Sequence, residues 1–286
     1  MLRVNDELRK YGLIPSKYTN QSNVTIVDTD KGKVVFKKKN NLDIFKYLDS
    51  RDFNYYPKII SDDNDSYVMM EYIDSIDMPI EQKMNDMVDL VSLLHSKTTY
   101  YQDITDDYNE IYEDIKNNIE YLYSYYSDIM SIIESKVFMS PSFYTLSLNI
   151  SKIYESLSFC NIKIEDWYKK VKDKKKKRLS VLHNNLDLSH FIRSNKPYLI
   201  SWDKAKIDIP VFDLYKFYKN NINFNFEELL KRYEKINPLS DDERELLVIL
   251  LSLPDKLEFD ENNYNMCIKI KNMVNLLNKV RTTKLS

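Results

Sequence analysis

From Pro79 onward the hydrophobic period of the chain becomes mainly helical, and that change limits the architectures open to it. Before it, NVTIVDT at 23–29 and KVVFKKK at 33–39 are β-branched runs flanking the tripeptide DKG. They read as a hairpin with Gly32 at the tight turn. LDIFKYLDSR at 42–51 has apolar residues at 44, 45 and 48, the spacing of a short helix. YYPKII at 55–60 and SYVMMEYI at 66–73 read as two further short strands around the polar turn SDDND. After Pro79 the period becomes helical. IEQKMNDMVDLVSLLH at 80–95 carries Met84, Met87, Val88, Val91 and Leu94 on one face. The same spacing continues through 108–133. SPSFYTLSLNISKIYESLSFC at 140–160 predicts one further helix, with Ser140 and Pro141 suited to its start. SDDERELLVILL at 240–251 opens with Ser240 and Glu243 in capping-box spacing. This order predicts an α+β protein of two lobes with a cleft between them. An N-lobe of residues 1–74 holds a small antiparallel sheet and one helix, and a larger, mainly helical C-lobe spans 75–286.

Composition narrows the function classes. With 43 % hydrophobic and 30 % charged residues the chain is globular, and its net charge of −2 gives no nucleic-acid footprint. The first residues lack the apolar core of a signal peptide. LLVILLSLP at 246–254 is the longest apolar run, far short of the roughly 20 residues that span a bilayer. A soluble, cytoplasmic protein without a membrane span is the expectation. Cys160 and Cys267 are too few for a disulfide framework and are read as buried thiols in a reducing compartment. Only 2 glycines occur, where a chain of this size would carry about 20. A mechanism that needs a glycine-rich phosphate loop is therefore hard to accommodate. The run KKVKDKKKKR at 169–178 holds eight basic residues in ten and reads as a solvated loop, with an anionic-partner site as the alternative.

Residues 181–214, VLHNNLDLSHFIRSNKPYLISWDKAKIDIPVFDL, carry the chemistry. HNNLDLSH, LISWD and PVFDL follow one another in the order and at the separations of three motifs of a known family. There the catalytic loop reads approximately His-Gly-Asp-Leu-x-x-x-Asn, a strand then ends in Asp, and Pro-x-x-Asp-Leu follows. On these residues the chain resembles the aminoglycoside phosphotransferase and choline kinase-like branch of the protein-kinase-like fold. The resemblance runs over roughly residues 10 to 260. It implies ATP and magnesium as cofactors, because phosphoryl transfer proceeds through a loose, anionic transition state served by positioning and charge neutralisation.

Carried over residue by residue, the match is partial. His183 keeps the loop histidine, which braces the backbone. Asn185 stands at the position of the catalytic Asp, and an amide accepts no proton at neutral pH. His190 stands at the position of the metal-binding Asn, and imidazole prefers zinc, copper or nickel to magnesium. Asp203 keeps the metal-binding Asp, and Asp213 keeps the later, loop-bracing Asp. Lys37 in VVFK resembles the phosphate-gripping lysine, with Lys38 and Lys39 leaving its register open. The lysine's partner Glu has no clear equivalent; Asp43 is the acidic candidate. Asp187 as a displaced base would demand a ligand near Ile192 and spoil the separation to Asp203. His183, Asp187 and His190 could alternatively form a small metal site, while Trp202 is read as packing beside the cleft.

The substitutions weigh against both cofactors. The leading expectation is a pseudokinase that binds a nucleotide weakly or not at all and acts through binding or scaffolding with a protein partner. The alternative is an active ATP-dependent phosphotransferase acting on a hydroxyl group of a small molecule. The eroded motif is also similar to spore-coat-associated kinase-like proteins of the CotS type, which implies a structural role at the spore coat.

Overall fold

The structure, a computed structural model, describes residues 2–21, 24–40, 42–61, 66–105, 107–259 and 262–282. Most of the turn SDDND and the end of the segment before the first predicted strand lie outside the described residues. Packing groups the chain into two compact units. The first is Met1–Thr98 with Val181–Ile207, and the second is Thr99–Ser180 with Asp208–Ser286. This grouping differs from a cut at residue 74, because the helix after Pro79 packs against the 181–207 segment and both fall in the sheet's unit.

The first unit opens with helix α1 (Leu2–Lys10), followed by β1 (Pro15–Gln21), β2 (Val24–Thr29), β3 (Gly32–Lys38), α2 (Asp43–Ser50), β4 (Ile59–Ser61), β5 (Tyr67–Glu71) and α3 (Ile80–Thr98). The five strands form one antiparallel sheet in the order β1-β2-β3-β5-β4. The predicted hairpin is β2–β3, and Gly32 sits at its turn with φ +118. Side-chain alternation divides the sheet's faces. Val27, Val34, Phe36 and Met69 pack with Leu8 of α1 into a buried cluster. Val24, Ile26, Val35, Lys37, Val68 and Met70 line the opposite face. The single predicted helix of this region is α2, whose Ile44, Phe45 and Leu48 are buried. Helix α1 is an addition that the sequence did not announce, since its apolar stripe rests largely on Val4 and Leu8. It ends in a Schellman turn: Leu13 N–H donates to Leu8 O at 2.9 Å and Gly12 N–H to Arg9 O at 3.0 Å, with Gly12 at φ +62. Strand β1 was also missed, because PSKYTNQ is polar and only partly buried. The YYPKII run forms strand only from Ile59, since Pro57 has no N–H to give a ladder.

The second unit takes the chain through β6 (Tyr100–Asp103), α4 (Asp107–Glu134), α5 (Pro141–Ser147) and α6 (Ile150–Val171) to β7 (Lys176–Leu182). After β8 (Phe191–Arg193) and β9 (Pro197–Leu199), which belong to the first unit, it resumes with α7 (Val211–Asn220), α8 (Phe226–Glu234), α9 (Asp241–Ser252) and α10 (Asn263–Thr282). The helix expected over 140–160 is two helices. Asn149 leaves helical geometry at φ −119, and its amide donates back to Thr145 O at 2.9 Å, closing α5 before α6 begins. Ser140 caps α5 as read, accepting from Phe143 N–H. The capping box at Ser240 and Glu243 is formed. Among the described residues no helix is long and apolar enough to cross a membrane. Burial raises the Cys160 thiol to about 12, an inert core thiol, whereas Cys267 is half-buried rather than buried.

The basic run is largely exposed, but it is not a loop throughout. It comprises the end of α6, a turn and the start of β7, and its cations meet acids of α9 and β6. Arg178 grips the Glu243 carboxylate through two bonds of 2.8 and 2.6 Å, with side chains only 15 % and 7 % exposed. Lys174 reaches Asp242 at 2.7 Å, and Lys170 pairs with Glu245. A run of like charge is tolerated here because the first turn of α9 offers a run of the opposite charge. Arg178→Ala strands a buried carboxylate and should lower unfolding free energy by about 3 kcal/mol in urea titration. Leu8→Ala opens the sheet's covered face and should cost about 2–5 kcal/mol in the same assay.

Candidate functional site

The site is built entirely within the first unit. Alternation along β3 sends Val35 and Lys37 to the face opposite the α1 cluster, and Lys37 lies in register with Val24 on β2 and Val68 on β5. That face roofs a cavity of about 310 Å³, whose other walls include Phe45, Ile192, Ile200, Trp202 and Asp203. Apolar side chains dominate it, and Lys37 and Asp203 mark its charged end.

The segment 183–203 is held by its own backbone and ring contacts. His183 is fully buried; its Nε2–H donates to Ile200 O at 2.8 Å, and its ring meets Trp202 edge-on at 4.7 Å. His183 thus ties the loop to the segment that carries Trp202. Trp202 is 4 % exposed, packs against Phe45, Phe53 and Tyr56, and donates from Nε1 to Leu199 O at 2.8 Å. Trp202 is packing beside the cavity, as read. Asn185 donates from Nδ2 to Ser201 O at 3.2 Å, tying the loop to the segment that carries Asp203. His190 donates from Nδ1 to the Asn185 carbonyl at 2.7 Å.

Two residues of this segment take left-handed backbone in a chain of few glycines. Asn184, at φ +56, follows His183 where the resembling motif has Gly, and its Nδ2 donates to Lys204 O at 2.9 Å. Asn tolerates this conformation better than most residues. Ser201 is at φ +67 and ψ +48, immediately before Trp202. Neither was singled out from sequence, although Asn beside a loop histidine is a legible signal.

Asp203 stands in the short 3₁₀ turn Trp202–Lys204. Its Oδ2 lies 2.5 Å from Lys37 Nζ, and its carbonyl accepts from Asn40 Nδ2 at 3.3 Å. Of the three adjacent lysines it is Lys37 that reaches this carboxylate. Asp43 is not its partner: it sits at the start of α2 with Lys46 at 3.3 Å, and its side chain is 95 % exposed. Asp187 is not a displaced base. It caps the 3₁₀ turn Leu188–His190, and the Ser189 hydroxyl at 2.6 Å and N–H at 2.7 Å hold its carboxyl below the usual range. Asp213 is fully buried in the first turn of α7, in the second unit.

These donors fit magnesium poorly. The ion wants an octahedron of oxygens, and apart from Asp187, engaged with Ser189, the loop offers the Asp203 carboxylate, already paired with Lys37, one amide oxygen of Asn185 and one imidazole nitrogen of His190. Nor do His183, Asp187 and His190 make a separate metal site. The two rings lie 6.3 Å apart, and each of the three side chains is engaged with a neighbouring backbone group. Among the described residues no group of three or more His, Cys, Asp and Glu is placed to hold a metal ion.

The arrangement of strands, helices and loop is that of known kinases. The chain is similar to an aminoglycoside phosphotransferase from Alicyclobacillus acidocaldarius, with 9 % identity and a TM-score of 0.71 over 96 % of this chain and 94 % of that one. It is similar to spectinomycin phosphotransferase in its AMP-bound complex, with 13 % identity and a TM-score of 0.60 over 99 % and 98 %. Choline kinase LicA from Streptococcus pneumoniae matches with 13 % identity and a TM-score of 0.51 over 99 % of both chains. No protein-family model and no curated protein matches the chain. At such identities the likeness is one of fold: this is an α+β, protein-kinase-like fold of the kind found in aminoglycoside phosphotransferases and choline kinases. Ser201→Gly relieves a strained backbone at the cost of a looser unfolded chain. It should raise stability by about 0.5–1 kcal/mol, read as a rise in melting temperature.

Proposed function

We propose that this protein is a nucleotide-binding pseudokinase, which occupies its cavity with an adenine nucleotide and acts through binding rather than phosphoryl transfer. The observation that carries the reading is Asn185, an amide at the position of the catalytic Asp, with its nitrogen committed to Ser201 O. A missing general base costs about 10²–10⁴ in rate. The loose transition state tolerates that loss alone, but here the second metal ligand is also replaced, by His190.

Three features support nucleotide binding. The cavity falls at the small end of the 300–1,000 Å³ range of ligand sites, and its walls are apolar with a few convergent polar groups. Lys37 stands at one end, where a phosphate would meet an ammonium. Spectinomycin phosphotransferase, of the same fold, has been solved with AMP bound. A scaffold role with a protein partner follows from the sequence resemblance to spore-coat-associated kinase-like proteins, and coat extracts are the place to seek the protein.

The test has two arms. ADP or ATP should raise the melting temperature, since a ligand at 100 times its Kd stabilises the folded state by about 2.7 kcal/mol. ATP mixed with candidate acceptors such as choline or an amino sugar should yield no ADP. The double variant Asn185→Asp, His190→Asn should gain ADP release with magnesium. Turnover by the unmodified protein on the order of 1 s⁻¹ would replace this reading with that of an active small-molecule phosphotransferase.

A further inference from the structure

Resting on the nucleotide-binding reading, we propose that the cleft takes its nucleotide without magnesium, with the Lys37 ammonium as the cation that meets the phosphates. The argument is a count of charges and donors at the end of the cavity. A di- or triphosphate brings several negative charges into a largely apolar pocket, and those charges need a partner. In a magnesium-dependent site that partner is the ion, which is itself held by carboxylates. Two carboxylates line the cavity: Glu71 accepts from the Lys58 N–H at 2.8 Å, and Asp203 is already neutralised by Lys37 at 2.5 Å, with side chains 15 % and 36 % exposed. Magnesium entering the site would have to break this short, charge-assisted bond and shed part of its water for one amide oxygen and one imidazole nitrogen. That exchange is poor for a hard cation that dehydrates reluctantly.

The ammonium, by contrast, is well placed to change partners. Asp43, the acid on α2 that could have competed for it, is turned to solvent with Lys46. Among the described residues Lys37 pairs with the Asp203 carboxylate, and a phosphate oxygen arriving beside Asp203 can share or take over its protons by a small movement of a flexible side chain. Asn40 anchors the Asp203 backbone, so the turn stays in place while the side-chain pair opens.

This reverses the sign of a standard substitution. If Asp203 holds magnesium for the nucleotide, removing its charge weakens binding. If Asp203 only competes with phosphate for Lys37 and repels it, removing its charge strengthens binding.

Titration calorimetry of the full chain with ADP and with ATP, in EDTA and in excess magnesium, decides the matter. The expected Kd for ADP differs by less than about twofold between the two conditions, and magnesium does not tighten ATP. Asp203→Asn, nearly isosteric, should tighten ADP about three- to tenfold in EDTA, and Lys37→Met should weaken it about tenfold or more. Tightening by magnesium of about tenfold or more, or weaker binding by Asp203→Asn, overturns the inference and leaves the nucleotide reading standing. Absence of heat and of thermal stabilisation with both nucleotides in both conditions overturns the nucleotide reading as well.

Discussion

The burial of Trp202 organises the candidate site. Its ring fills the space between α2, the 53–56 segment and His183, and its indole nitrogen is satisfied by Leu199 O. Because Asp203 is the next residue, the packing of this ring sets where the carboxylate emerges. The His183 bond to Ile200 and the Asn185 bond to Ser201 clamp the two strands of chain that meet there. A large aromatic side chain anchored at this point gives a polar site a rigid apolar foundation.

With only 2 glycines, the chain places other residues at positions where the backbone is left-handed. Tight positions remain, and they are filled by the residues that tolerate them best. Asp52 ends α2 at φ +56 as Gly12 ends α1, with Phe53 N–H donating to Leu48 O at 2.9 Å and both side chains buried beside the turn. Asn184 and Ser201 do the same in the loop. Each non-glycine in this region carries a strain that the surrounding packing offsets. Asn184 thus holds a left-handed position at which the resembling motif has glycine.

Much of the fold was legible because it is locally periodic. The β2–β3 hairpin, α2, α3, α4 and the α9 capping box all rest on side chains within a turn or a strand pair of one another. What escaped was decided elsewhere. Helix α1 has too narrow an apolar stripe to read alone and is stabilised by the sheet face it covers. Strand β1 is polar and extends because β2 offers it a ladder of hydrogen bonds. The basic run reads as solvated because its partners, Glu243 and Asp242, are remote in sequence.

By itself the sequence determined the frame of the site and the identity of its letters: His183, an amide at 185, an imidazole at 190, and Asp203 after Trp202. These are chemical facts, since an amide is no base and imidazole is a poor ligand for magnesium whatever surrounds it. The tertiary structure decided how those letters are spent. Lys37 pairs with Asp203 rather than Asp43, Asp187 caps a turn rather than serving as a base, and Arg178 is locked onto Glu243. Ion pairs and hydrogen bonds join groups that folding brings within about 3 Å, and no pattern of spacing along the chain encodes that proximity.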